Sequence, residues 1–168
     1  MIIDKVTKID SKLSIIIPVY NEEGNVGRLY EKLVKDIEPL QREYEIVFVD
    51  DGSVDSTYLK LKEIHSKCSR VKVIKFRRNF GKSVALNTAF TKADGDIIIT
   101  MDGDLQDDSQ EIPKFLAKLE EGYDLVSGWK FPRNDPITKT APSKVFNQLT
   151  CWMTGVHLHD FNCGFKAY

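Results

Sequence analysis

Asp102, Asp104, Asp107 and Asp108 fall within seven residues, directly after the apolar run Ile97-Ile98-Ile99. Carboxylates this close repel one another unless a cation, a set of hydrogen-bond donors or open water offsets them. Asp102 and Asp104 stand two positions apart, and Gln106 adds a carbonyl oxygen two further on. Mg²⁺ and Mn²⁺ favour such oxygen ligands, taking one or two carboxylates and leaving the other positions to substrate phosphates and water. The spacing therefore points to a metal that carries a diphosphate. Asp107 and Asp108 are better placed to cap the helix that follows and to favour its dipole.

Two further polar clusters also follow apolar runs: PVYNEEGN from Pro18 and DDGSVDS from Asp50. Each alone says little, since Asp-Gly-Ser after a strand is most often a turn leading into a helix cap. Three such clusters at strand ends carry weight together, because open α/β sheets bind ligands beyond the carboxyl ends of their strands. Glycine-rich phosphate loops are excluded. No G-x-G-x-x-G follows the first apolar run, and Gly81-Lys82-Ser83 lacks the earlier glycine of a phosphate loop, Phe76 standing in its place.

The elements that must position these clusters alternate along the chain. Strands are predicted at Leu13 to Val19, Glu45 to Val49, Val71 to Phe76, Asp96 to Met101 and Tyr123 to Ser127. Between them, helical apolar stripes run from Asn25 to Leu40, Asp55 to His65, Ser83 to Thr91 and Gln110 to Glu121, the last with Pro113 in its first turn. Asp55 or Ser53 would cap the second helix, and Tyr58, Leu59, Leu61 and Ile64 would form its packing stripe. Val84, Leu86, Ala89 and Phe90 would pack the third. Strands that are nearly continuously apolar and alternate with helices imply an α/β fold, a mostly parallel sheet with helices on both faces. After Gly128 comes a loop with three prolines and four cations, then an amphipathic segment with Val145, Phe146, Leu149, Trp152 and Met153 on its apolar side. That face could pack on the sheet or lie on a membrane surface.

Composition bounds the function classes. The chain has 168 residues, 42% hydrophobic and 29% charged, as a globular domain would. A net charge of −1 gives no global field for nucleic acid. Cys68, Cys151 and Cys163 have no C-x-x-C spacing, which argues for reduced thiols and against a disulfide framework or a zinc site. No run approaches the roughly 20 apolar residues that cross a bilayer, so the chain as it stands reads as soluble. It stops at CGFKAY without a polar tail or capping signal, and is expected to be part of something longer.

LSIIIPVYNEE, VDDGSVDST, RNFGKSVALNTA, TMDGDLQDD and HDFNCGFKAY, in this order, resemble the motifs of family-2 glycosyltransferases of the GT-A fold, a Rossmann-like architecture. More narrowly they resemble the polyprenyl-phosphate branch, which includes dolichyl-phosphate mannosyltransferase and the bacterial glucosyltransferases that charge undecaprenyl phosphate. The resemblance spans Leu13 to Tyr168. It implies one catalytic domain over residues 1–168, followed in the family by membrane helices that are absent here. It also implies an inverting transfer from a UDP-sugar or GDP-sugar to a polyprenyl phosphate at the cytoplasmic face of a membrane. A homo-oligomer is compatible with it, and nucleic acid is not a partner.

Carried over position by position, Pro18, Tyr20 and Glu22 would line the base and ribose. Asp51 would accept from the base imide, and Lys82 would reach the base from its far side. Asp102, with Gly103 beside it, would contact ribose and metal, and Asp104 and Gln106 would complete the site for Mg²⁺ or Mn²⁺. Lys130, Arg133, Lys139, Ser143 and Lys144 would surround the phosphates, and Asp160 would be the catalytic or acceptor-orienting carboxylate. Two rivals stay open: a family-2 transferase with a sugar or polysaccharide acceptor, and a nucleotide–metal binding module without turnover.

Overall fold

The computed structural model describes residues 11–129 and 163–168. Leu13–Val19 (β1) and Tyr44–Asp50 (β2) form the centre of a sheet, joined through Val26–Ile37 (α1) and a 3-10 turn at Glu38–Leu40. Thr57–Lys67 (α2) leads to Val71–Lys75 (β3), Lys82–Phe90 (α3) to Ile97–Thr100 (β4), and Ile112–Glu120 (α4) to Val126–Ser127 (β5). A sixth strand, Lys166–Ala167 (β6), comes from the end of the chain, and the spatial order is β3-β2-β1-β4-β6-β5.

Parallel pairing of β1 with both β2 and β4 follows from burial on both faces. Leu13, Ile15, Ile17 and Val19 point into one core with Val26, Leu29, Leu33 and Ile37 of α1 and Ile112, Phe115, Leu116 and Leu119 of α4. Ile16, between them in sequence, faces the opposite core with Val47, Val49 and the small residues Ala85 and Ala89 of α3. The two-residue period of β1 thus feeds both layers, and helices cover both faces as the sequence led one to expect.

The departures are local. Leu59 is 65% and Val84 44% exposed, so neither belongs to its expected stripe; Leu61 and Ala89 are buried as expected, joined by Thr57 and Ala85. Tyr123 lies outside β5 and is exposed, because β5 is limited to the two residues that pair with the equally short β6. β6 itself was not anticipated. It runs antiparallel between β4 and β5, with Cys163, Phe165 and Ala167 buried in alternation. The predicted helix around Val145 to Met153 lies outside the described residues.

At the amino end of the sheet, the buried Glu45 gathers four donors. Its Oε1 accepts from the Ser14 hydroxyl at 2.6 Å and the Asp94 N–H at 2.8 Å, while Lys72 Nζ lies 2.7 Å and Lys12 Nζ 3.9 Å from its Oε2. Burial alone pushes the Glu45 carboxyl up; the Lys72 ammonium, the Ser14 hydroxyl and the Asp94 N–H outweigh it and hold the group below the usual carboxylate range.

Candidate active site

At the opposite end of the sheet, β1 is flanked by β2 on one side and β4 on the other, with connections leaving in opposite directions. A crevice opens at such a switch point. Here it is a cleft of about 350 Å³ lined by residues at or just beyond the carboxyl ends of β1, β2, β3 and β4, among them Pro18, Tyr20, Glu22, Asp51, Lys82, Asp102, Gly103 and Asp104. Eight of the nine donor-site and metal-site positions expected from the sequence therefore meet in one place.

Much of the polar motif chemistry serves to build this rim. Asn21 takes a left-handed φ of 56°, its N–H donates to Ser53 Oγ at 2.9 Å, and its Oδ1 accepts from Val54 N–H at 3.0 Å. Glu22 N–H donates to Thr57 Oγ1 at 2.8 Å, and Ser56 N–H to Glu23 Oε2 at 2.9 Å. The loops after β1 and β2 are thus stitched by reciprocal side-chain to backbone bonds, each worth about 1 kcal/mol net. Ser56 holds the N-cap position of α2, and Asp55 just before it supports the helix start, its Oδ1 accepting from Thr57 N–H at 2.9 Å. Glu22 faces the cleft with Oε2 already accepting from Asn25 Nδ2 at 2.6 Å.

Asp51 is nearly buried, and its two carboxylate oxygens accept from the N–H groups of Phe80 at 2.8 Å and Gly81 at 2.9 Å. Besides facing the cleft it therefore folds the loop after β3 onto the loop after β2. Gly52 completes that junction: at φ 75° a Cβ there would lie 2.2 Å from the Arg78 carbonyl carbon. Only glycine fits. The closure brings Asn79 and Gly81 into the lining, together with Val19. None of the three carries a role in the reading of the sequence, although Asn79 and Gly81 sit in the RNFGKSVALNTA motif, three positions and one position before Lys82.

The acidic loop is held by its own carboxylates. Asp107 is buried and accepts from Asp102 N–H at 2.8 Å, so it braces the loop. Asp108 caps the 3-10 turn Ser109–Glu111 that leads into α4, accepting from Gln110 N–H, and the Lys32 ammonium 2.6 Å away holds its carboxyl below the usual range. Asp104 Oδ1 accepts from Gln106 N–H at 3.0 Å, closing a turn through Leu105 at φ 64°. That turn leaves Gln106 exposed and outside the cleft lining. Lys82 lines the cleft from the first position of α3. Its Nζ forms an ion pair with Asp102 Oδ1.

Among the described residues no three His, Cys, Asp or Glu side chains converge as a metal cluster. Two carboxylates in an open cleft are nonetheless what a Mg²⁺ or Mn²⁺ shared with phosphates requires. The lysine ammonium on Asp102 shows that this carboxylate accepts a cation. The donor set fits. Lys130, Arg133, Lys139, Ser143, Lys144 and Asp160 lie outside the described residues. No helix of the described residues is long and apolar enough to cross a membrane.

A family model, glycosyl transferase family 2, matches residues 14–167. The chain belongs to this family. The undecaprenyl-phosphate 4-deoxy-4-formamido-L-arabinose transferase of Proteus mirabilis (strain HI4320) is 39% identical to this family-2 chain over 159 residues, 94% of the chain and 49% of the relative. The chain thus spans about half the length of the curated relative it matches. Glucosyl-3-phosphoglycerate synthase from Mycobacterium tuberculosis, in complex with Mn²⁺, UDP and phosphoglyceric acid, superposes with a TM-score of 0.68 at 22% identity, over 95% of this chain and 56% of that one. S. aureus TarS in complex with UDP superposes with a TM-score of 0.59 at 28% identity, over 74% and 38%. The sheet and its helices are those of the GT-A fold.

Proposed function

We propose that this family-2 chain carries the donor site of an inverting glycosyltransferase that moves a sugar from a nucleoside diphosphate to a polyprenyl phosphate at the cytoplasmic face of a membrane. One observation carries the reading. Asp51, Lys82, Asp102 and Asp104 meet in a cleft at the sheet's switch point, in a chain 39% identical to an undecaprenyl-phosphate sugar transferase. UDP, the ligand of TarS, and GDP are both candidate nucleotides.

Pro18, Tyr20 and Glu22 line the cleft and would receive base and ribose, and Asp51, in the same lining, would accept from the base imide. Asp102 and Asp104 would hold Mg²⁺ or Mn²⁺, which when bound withdraws charge from the diphosphate. Lys82 is within reach of the same charge. In the transfer, the bond from the anomeric carbon to the diphosphate oxygen breaks and its electron pair leaves with the nucleoside diphosphate. A bond to an acceptor phosphate oxygen forms on the opposite face. A phosphate with a second pKa near ~6 is already anionic at neutral pH, so Asp160 orients the acceptor and no strong base is needed. Lys130, Arg133, Lys139, Ser143 and Lys144 would surround its phosphate, and Val145 to Met153 would rest at the headgroup level of the membrane.

The test is transfer from a panel of UDP- and GDP-sugars, with Mn²⁺ or Mg²⁺, to a short polyprenyl phosphate. A glycosyl phospholipid product of inverted configuration is expected. Transfer only to free sugars would favour the rival acceptor, and nucleotide binding without any turnover would favour the binding module.

A further inference from the structure

We infer that Gly164 is a positioning residue for Asp102: its missing side chain lets the backbone ahead of β6 close against the carboxylate and fix its direction in the cleft. A Cβ at position 164 would lie 2.5 Å from Asp102 Oδ1, 2.7 Å from Oδ2 and 2.8 Å from Cγ. Those three atoms are its nearest neighbours, and all belong to one side chain. Glycine is not required here for its backbone. The described glycines with left-handed φ are Gly52, Gly81 and Gly122, and Gly164 is not one of them. What the position demands is room beside a carboxylate.

The segment cannot retreat to make that room. Gly164 C=O accepts from Thr100 Oγ1 at 2.7 Å, and Phe165 C=O from Gly128 N–H at 2.8 Å. Lys166 and Ala167 pair with β4 on one side and β5 on the other, and the Phe165 ring lies 4.4 Å from that of Phe115. Asp102 is likewise held from other directions, by Lys82 at Oδ1 and through its N–H by Asp107 at 2.8 Å. With a side chain at position 164, the part free to move is the end of Asp102, which turns away from Lys82 and Asp104. The fold survives such a change, unlike one at Gly52, where a Cβ meets backbone.

The functional consequence rests on the reading of Asp102 as a metal-holding residue; the packing consequence does not. Gly164→Ala is compared with Gly128→Ala, whose Cβ would meet Phe165 O at 3.1 Å and Cys163 Sγ at 3.2 Å in the same strand pair without touching Asp102. UDP and GDP are titrated with and without Mn²⁺. Thermal unfolding of Gly164→Ala is measured in the native and in the Asp102→Ala background. The expected result is a loss of about tenfold or more in the Mn²⁺ enhancement of nucleotide affinity for Gly164→Ala, the range for removing a group that orients a metal ligand. Gly128→Ala should retain the enhancement. The fall in Tm caused by Gly164→Ala should vanish when Asp102 is alanine. An undiminished Mn²⁺ enhancement in Gly164→Ala overturns the inference, as does an equal loss in Gly128→Ala. If the native chain shows no Mn²⁺ enhancement, the metal reading fails and the unfolding cycle alone decides: a fall in Tm that needs Asp102 upholds the inference, and an equal fall or none in both backgrounds ends it.

Discussion

Asp51 shows how one carboxylate can serve both scaffold and site. Its oxygens accept from the Phe80 and Gly81 N–H groups, yet the carboxylate lines the cleft and each oxygen can accept a further hydrogen bond. Asp51→Ala should therefore weaken nucleotide binding by about 1–3 kcal/mol, the range for a hydrogen bond to a charged group, and free the loop after β3 as well. Hydrogen exchange at the Phe80 and Gly81 amides checks the second effect. Asp104→Ala should abolish the metal-dependent part of nucleotide binding and leave the unfolding midpoint nearly unchanged, as measured by calorimetry with and without Mn²⁺. At Lys82 the expectation concerns competition, since its ammonium shares Asp102 with any entering cation. An exposed ion pair is worth at most about 1 kcal/mol. Lys82→Gln should thus tighten nucleotide-free Mn²⁺ binding by up to about fivefold, seen in the paramagnetic signal of free Mn²⁺, while weakening nucleotide binding.

At the scale of elements, the sheet is anchored at its amino end by Glu45 on β2. The folded carboxyl is held below its ordinary value, so its contribution to stability is complete above the unfolded pKa of about 4.3. That contribution is lost as pH falls through the lower folded value. Glu45→Gln should flatten the acid limb of the stability profile, and Glu45→Ala should cost about 1–3 kcal/mol by leaving the buried Ser14 hydroxyl and the Asp94 N–H without their acceptor. Denaturant midpoints between pH 3 and about 7 measure both. On the helical layer, Leu33 is fully buried between α1 and the sheet, and Leu33→Ala should cost about 2–5 kcal/mol.

For the molecule as a whole, the active end and the structural end of the sheet are separate. The cleft residues follow the carboxyl ends of the strands, and the Glu45 cluster sits where β2 begins. Ligand and acid should therefore act independently. At a hundredfold excess over its Kd, a nucleoside diphosphate with Mn²⁺ should add about 2.7 kcal/mol to the unfolding free energy. Glu45→Gln should keep that increment, and Asp104→Ala should lose its metal-dependent share. A thermal-shift series of the three proteins measures the difference.

The sequence by itself determined the alternation of strands and helices, because runs such as LSIIIPV can be buried on both faces only in a covered parallel sheet. It also determined which three loops carry the chemistry, since the polar clusters follow directly on those strands. What it could not carry was any property made by residues distant along the chain. β6 is a two-residue strand whose place exists only once β4 and β5 offer it edges, too short for a periodic signal to stand out. Asp107 as a brace, Asn79 in the cleft, Lys82 on Asp102 and Gly164 against the same carboxylate are likewise contacts across loops. Residue type and spacing tell which groups can meet a ligand or an ion. Which of them meet each other depends on how the loops close, and that is settled by backbone direction and packing in three dimensions.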